Sequence, residues 1–313
     1  MRPTILLAFL ASFIVMAKAE EAADEVKVMT FNCWYSLAKI NDGPAKAISA
    51  IRKSHADIIG LQECSEETAG KLAAALGFHR VQPASGAVQI ITRFPIIDTF
   101  PVTGIDPSRA AAARIRTGDT PSRDLIFYNI HLDAGNYGPY ATRTPGSTAE
   151  QVLALENKSP RPAQIAGILE SMSAHLAEAN KTPVVLTGDF NSPSHLDWTE
   201  GTAASHGGVA NVDWPASILP QRAGLIDSFR LLHPDPAALP GNTWSAIHKG
   251  TEPQDRIDFI FHKGKPLSPV SSRTFSTSIA RTIGAWGEDI TPVVDNEWPS
   301  DHHAVVTVYR FTR

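Results

Sequence analysis

The sequence predicts an α/β (α+β) fold in which two mixed β-sheets pack face to face with helices outside. Three observations predict it. Strand-type and helix-type segments are interspersed along the chain. Many strand-type segments follow one another with no helix between, which a purely parallel βαβ series does not do. No internal repeat or shift in composition divides the 313 residues; 43% are hydrophobic and 19% charged, as in a globular enzyme with a sizeable core and unlike a disordered or collagen-like chain.

Residues 1–19 stand apart from the rest. Met1-Arg2 is a short positive start, residues 5–16 are almost continuously apolar, and Ala17-Lys18-Ala19 has the small-x-small pattern of a cleavage site before an acidic stretch. This reads as a secretory signal peptide with cleavage near Ala19, leaving residues 20–313 as one catalytic domain that is secreted or periplasmic. The apolar run of about twelve residues falls short of the roughly 20 that span a bilayer. Cleavage removes Arg2 and Lys18 and no acid, so net charge moves from -4 to -6. That sign opposes tight nucleic-acid binding through a broad basic surface, but not a nuclease gripping its substrate locally.

The elements follow in order. Residues 25–32 (EVKVMTFN) alternate and read as a first strand. Residues 43–55 have helical spacing, with Ala47, Ile48 and Ile51 on one face. Residues 57–62 (DIIGLQ) form a short apolar strand, and 66–76 form a helix stopped by Gly77. Strands are expected at 87–92, 96–103, 110–115 and 125–131. Residues 133–159, rich in Gly, Pro, Tyr and Thr, make an excursion with a short helix near 148–156. A long amphipathic helix at 163–179 precedes a buried strand at 183–187. A loop-rich stretch fills 191–220, and strands at 256–262 and 304–311 finish the chain.

Each of several strands ends in a polar group that a buried strand does not need. The groups are Asn32, Gln62-Glu63, Asn129 with His131, and Asp189 with Asn191; Asp258 opens a later strand, and Asp301-His302 precedes the last. Acids, amides and histidines gathered at strand ends point to one rim where metal and phosphate chemistry is built.

Five motifs, TFN, LQE, GDFN, RIDFIF and SDH, occur in one order across nearly the whole chain. On these the chain resembles the endonuclease/exonuclease/phosphatase superfamily, and in particular its deoxyribonuclease- and sphingomyelinase-like members. The resemblance implies a four-layered α/β sandwich and a metal-dependent phosphoric ester hydrolase. It implies Glu63 as the metal carboxylate, with Asn32 and Asp301 as supporting ligands, direct or through water. The implied cation is Mg²⁺, with Mn²⁺ or Ca²⁺ as alternatives; hard cations of this kind take few carboxylates and keep several waters. It implies Asp189 as the group that orients or deprotonates water and Asn191 as a holder of a phosphate oxygen. It implies a His302–Asp258 pair, in which the carboxylate fixes the tautomer and raises basicity. His131 stands where such members carry a histidine able to protonate the leaving oxygen or stabilise the transition state.

Taken singly, Asn32 is a turn residue, Asp189 an Asx turn after Gly188, and His131 a core histidine. His302 is preferred to His303, which points the other way on a strand. Asn129 is expected to support the substrate site. Tyr137 and Tyr140 either wall a substrate pocket or pack an ordinary loop, and His195 and Trp198 raise the same two possibilities. Arg256 is expected in a salt bridge rather than on substrate, and Thr243-Trp244 as a core or rim aromatic. Cys33 and Cys64 directly follow Asn32 and Glu63. If those two share one strand face, the cysteines share the other, as a disulfide or as two buried free thiols.

Phosphodiester hydrolysis by in-line attack of water is the function expected, on a nucleic acid, phospholipid or small molecule. No stable membrane insertion and no protein partner are expected. A sphingomyelinase-like lipid hydrolase and a phosphomonoesterase are the enzyme alternatives. Gly188-Asp189-Phe190-Asn191-Ser192-Pro193 departs from the pattern of inositol-polyphosphate 5-phosphatases. A non-catalytic binding protein is the remaining class, and the presence of Glu63, Asp189 and His302 argues against it.

Overall fold

In the computed structural model, residues 25–82, 86–120, 123–287 and 294–312 are described. The expected leader at 1–19 lies outside them. Strand β1 (Glu25–Asn32) runs through the middle of a six-stranded sheet. That sheet has the order β11 (Leu267–Phe275), β12 (Ala304–Phe311), β1, β2 (Ile58–Gln62), β4 (Gln89–Thr92), β3 (His79–Arg80). A second six-stranded sheet has the order β5 (Ile96–Thr99), β6 (Ala110–Arg116), β7 (Asp124–His131), β8 (Val184–Asp189), β10 (Asp258–Lys263), β9 (Ile226–Asp227). Both sheets are mixed: β1–β2 and β7–β8 are parallel pairs, while β1–β12 and β8–β10 are antiparallel.

Period-two patterning splits the strands between three cores. Val26, Val28, Phe127, Val185, Ile260 and Val305 fill the space between the sheets. Phe31 and Ile59 face outward under α1 (Gly43–Ser54) and α2 (Glu66–Leu76), against Ala47, Ile51, Ala69 and Leu72. Tyr128, Leu186 and Phe259 face outward on the other side, under α4 (Arg161–Ala177) and α5 (Pro215–Arg222). The result is the helix–sheet–sheet–helix sandwich the sequence predicts. Two short helices, α3 (Ala149–Glu156) and α6 (Ser228–Leu232), lie outside this plan.

Local chemistry accounts for the element ends. Ser65 caps α2, its hydroxyl accepting the Thr68 N–H at 3.2 Å, with Glu66 and Glu67 in the first turn and Gly77 closing the helix at φ 71°. Thr148 and Gln151 form a reciprocal capping box at the start of α3. The strand expected at 96–103 stops at Thr99, ahead of Pro101, which has no N–H to give a ladder. The longest strand, β11, carries no alternating apolar signal. It is an edge strand that pairs with β12 alone, and its Pro269 sits at a register shift, where a proline is tolerated. No helix among the described residues is long and apolar enough to cross a membrane.

Candidate active site

The inter-sheet faces turn from apolar to polar toward one rim. Along β1 the sequence runs Val26, Val28, Thr30, Asn32, and along β8 it runs Val185, Thr187, Asp189. Along β7 it runs Leu125, Phe127, Asn129, His131. The first polar layer is structural. Gln62 Nε2 donates to Asn129 Oδ1 at 2.6 Å and to Thr30 Oγ1 at 3.0 Å, and Thr187 Oγ1 donates to Asn129 Oδ1 at 3.2 Å. Asn129 Nδ2 reaches the Leu61 and Gln89 carbonyls, both at 2.9 Å. A Cβ on Gly60 would meet Asn129 Oδ1 and Thr187 Oγ1 at 2.5 Å, so only glycine lets the sheets approach this closely. Asn129 therefore joins the sheets rather than lining a substrate site: every strong hydrogen-bonding direction it has is used in the interior.

One layer further out lies the reactive cluster. Asn32 Nδ2 donates to Asp189 Oδ2 at 2.8 Å and to Glu63 Oε1 at 3.2 Å, and lies 3.5 Å from His302 Nε2. Its Oδ1 accepts the Trp34 N–H at 2.9 Å. In this orientation the amide turns its hydrogens, not its oxygen, toward the acids. His131 Nε2 and His302 Nε2 flank Asp189 Oδ2 at 3.5 and 3.7 Å. His302 Nδ1 pairs with Asp258 Oδ2 at 2.9 Å, an arrangement that β10 and β8 bring about by setting Asp258 opposite Asp189. Asn191 N–H donates to Asp189 Oδ1 at 2.8 Å, and one amide hydrogen of Asn191 is spent on the Leu132 carbonyl at 3.0 Å. Ser300 ties the last motif to the first, donating to the Asn32 carbonyl at 2.6 Å and accepting the His302 N–H at 3.1 Å. His303 stands outside this cluster, its N–H spent on the Thr243 carbonyl.

Burial and neighbouring charge tune these groups. Loss of water, then the Asp258 charge, push the Asp189 carboxyl up to about 6. Desolvation pulls the His302 imidazole down, but the Asp258 and Asp189 carboxylates outweigh it and hold the ring well above the usual histidine range. His302 is thus held in its charged, hydrogen-donating form. Asp301, also buried, has its carboxyl raised by desolvation.

The backbone here is strained. Glu63 and Asn191 have φ 50° and 49°, and Trp34, Tyr35, Ser36 and Leu37 have φ 37°, 53°, 58° and 66°. Left-handed backbone costs a non-glycine residue about 1–2 kcal/mol. It persists because neighbours dictate it: the Tyr35 N–H donates to Glu63 Oε2 at 2.9 Å and the Ser36 N–H to the Glu63 carbonyl at 2.7 Å.

Glu63, Asn191, Asp301 and His302 line one cavity of about 160 Å³. Among the described residues Asp189, Asp258 and His302 form a trio of metal-type donors, with atoms within 4.8 Å of one another. Since His302 and Asp258 bond to each other, this trio suits proton control better than ligation. Glu63 and Asp301 fit a cation instead. Both face the cavity, and Asp301 Oδ1 is buried with no hydrogen-bond partner.

Residues 29–302 match the family model described as the Endonuclease/Exonuclease/phosphatase family. The chain belongs to that family. As a family member it is a phosphoric ester hydrolase. It is 34% identical over 304 residues to an uncharacterised protein of Caenorhabditis elegans, F14F9.5, covering 91% of each chain. Its fold is similar to D. rerio TDP2 solved with a single-strand DNA product, at TM-score 0.56 and 15% identity, covering 91% of this chain and 99% of that one. It is also similar to the human Nocturnin catalytic domain with bound sulfate, at TM-score 0.57 and 18% identity, covering 92% and 95%.

Around the family's reactive cluster the cavity wall is aromatic: Trp34, Tyr35, Tyr137, Tyr140, Trp244 and Trp286. Tyr137 and Tyr140 both line this cavity and pack with Trp244 and Ile257 in a buried cluster. Their hydroxyls donate away from the cavity, to Asp255 Oδ2 at 2.8 Å and Glu252 Oε1 at 2.9 Å. Trp198 and His195 do not line it. Trp198 is buried, donating to Asp255 Oδ1 at 2.9 Å and stacking on His206, while His195 bonds Ser217 at 2.9 Å beside α5. Both side chains complete the packing of the 191–220 stretch. Arg256 is fully buried between Asp197 and Asp227, the salt-bridge role expected. Cys33 and Cys64 are free and buried.

Tyr35, Trp286 and His248 escaped the sequence reading. Tyr35 lies three residues beyond Asn32 and Trp286 in a Gly- and Ala-rich loop; both are exposed, at 59% and 56%, on the cavity wall. A solitary aromatic in a loop carries no spacing signal, so only tertiary placement identifies them.

Proposed function

We propose that the protein hydrolyses phosphodiesters with a divalent cation, by in-line attack of water on phosphorus. The observation that carries this reading is the surrounding of one buried carboxylate, Asp189, by Asn32, His131 and His302 next to a cavity faced by Glu63 and Asp301. Asp189, ionised above a pH of about 6, accepts the proton of the attacking water. Asn32 and the Asn191 N–H hold that carboxylate in place. His302, kept charged by Asp258, donates to a phosphate oxygen as charge grows there. The second amide hydrogen of Asn191, on the cavity wall, would donate to the same phosphate, and His131, 3.5 Å from Asp189 Oδ2, is our candidate to protonate the leaving oxygen. Glu63 and Asp301 would hold the cation, whose chemistry is to neutralise phosphate charge. An all-oxygen donor pair favours Mg²⁺ over softer ions, with Mn²⁺ and Ca²⁺ as the alternatives.

The aromatic wall supports a compact substrate with an apolar or ring-bearing group beside the phosphate. Among the described residues no Lys or Arg lines the cavity, which disfavours an extended polyanion. A substrate screen tests the whole proposal: bis-p-nitrophenyl phosphate, p-nitrophenyl phosphate, plasmid DNA and sphingomyelin, each with Mg²⁺, Mn²⁺, Ca²⁺ or chelator. The expected result is diester hydrolysis abolished by chelator. Hydrolysis indifferent to chelator would remove the metal, and faster turnover of the monoester would remove the diester preference.

A further inference from the structure

The loop that follows Trp244 grips Asp301 at both ends. On the main-chain side, the Ala246 N–H and the Ser245 hydroxyl both donate to the Asp301 carbonyl at 2.7 Å. On the side-chain side, His248 Nε2 lies 3.4 Å from Asp301 Oδ2. His248 is 2% exposed and stands behind Asp301, which is 3% exposed and faces the cavity. The imidazole is wedged between Trp244, with ring centres 5.1 Å apart, and the edge of Trp34 at 6.1 Å. The His248 N–H is tied to Ser245 Oγ at 2.9 Å and its carbonyl accepts from Gln254 Nε2 at 2.9 Å. The His248 Nε2 contact to Asp301 Oδ2 is longer than a well-formed hydrogen bond, and His248 Nδ1 and Asp301 Oδ1, both buried, have no hydrogen-bond partner. Buried polar atoms are satisfied as a rule. A loose His248–Asp301 contact with one oxygen of a cavity-lining carboxylate left unsatisfied marks a pair whose geometry is completed by something entering the cavity.

We infer that His248 is the positioning residue for Asp301, holding one carboxylate oxygen so that the other is aimed at the cation. The inference rests on the proposed metal role of Glu63 and Asp301. Outer partners of ligating carboxylates and imidazoles act in this way, setting orientation and so affinity. His248 touches neither substrate nor cation; it acts through Asp301 alone.

Mn²⁺ is the probe, titrated into the full chain and followed by calorimetry or by the paramagnetic signal of the free ion, with melting temperature measured alongside. His248→Phe keeps a ring against Trp244 and Trp34 but removes both nitrogens, and should weaken Mn²⁺ binding by about 10–100-fold. His248→Gln, which keeps an N–H donor, should bind more tightly than His248→Phe. His248→Leu gives the same reading if the Phe variant fails to fold. Glu63→Gln separates the two levels: if it binds Mn²⁺ like the parent protein, the metal role of this cavity fails. If Glu63→Gln loses binding while His248→Phe and His248→Leu retain it unchanged, the positioning role is overturned.

Discussion

Asp189 is where burial and charge are most closely balanced. Its carboxyl is raised, so the ionised form that accepts a proton is lost as pH falls through about 6. A cation held by Glu63 and Asp301 would stabilise that ionised form and move the transition lower. kcat/KM should therefore fall on the acid side at or below a pH of about 6, and Asp189→Asn should lower kcat by about 10²–10⁴-fold with the fold unchanged. A pH profile with no acid limb would remove Asp189 as the base. At this scale the motif residues were legible, because Glu63, Asp189, Asp258 and His302 are polar groups at strand ends where packing has no use for them. The direction of a single amide was not. Asn32 donates its amide hydrogens to two acids while its oxygen accepts the Trp34 N–H, an orientation set by those three neighbours. Nor was the separation of Trp198 and His195 from the cavity legible, since nearness in sequence to Asn191 says nothing about which way the following loop turns.

At the scale of the element, α2 carries its own start and stop, and it begins three residues after Glu63. Ser65 caps it, and the Ser65 N–H also donates to Ser36 Oγ at 3.0 Å, joining the helix to the strained turn beneath Tyr35. Ser65→Ala should cost about 1 kcal/mol, seen as a lower urea midpoint with unchanged slope. An unchanged midpoint would mean that the helix is held by its packing alone. Gly188 illustrates the opposite kind of constraint. At φ 155° a Cβ there would lie 2.2 Å from the Ile130 carbonyl oxygen, so the residue before Asp189 is set by the approach of β7 to β8. The Gly77 helix stop, the apolar face of α1 and the alternation of β1 are local patterns and were readable. β11 was not, because an edge strand with one partner and a proline at its bulge has little need for β-type residues.

The whole molecule consists of two sheets closed on an apolar centre that turns polar toward one rim. The three main cores are apolar and complete without any ion, so a chelator should abolish activity while leaving the cooperative unfolding transition in place. Mg²⁺ at about a hundred times its Kd should stabilise the fold by about 2.7 kcal/mol, and Glu63→Gln should lose that increment. An equal thermal shift in Glu63→Gln would place the cation elsewhere. By itself the sequence determined the fold class and the order of the strands' reactive ends, while the reaction class came from the family resemblance that its five motifs carry. It could do so because periodicity and out-of-place polar residues are one-dimensional signals. The tertiary structure decided which groups share a proton, which loop walls the cavity, that Asn129 binds the sheets together and that His248 stands behind Asp301. Those relations join residues far apart along the chain through angles and distances of a few ångströms, and no spacing along a sequence encodes them.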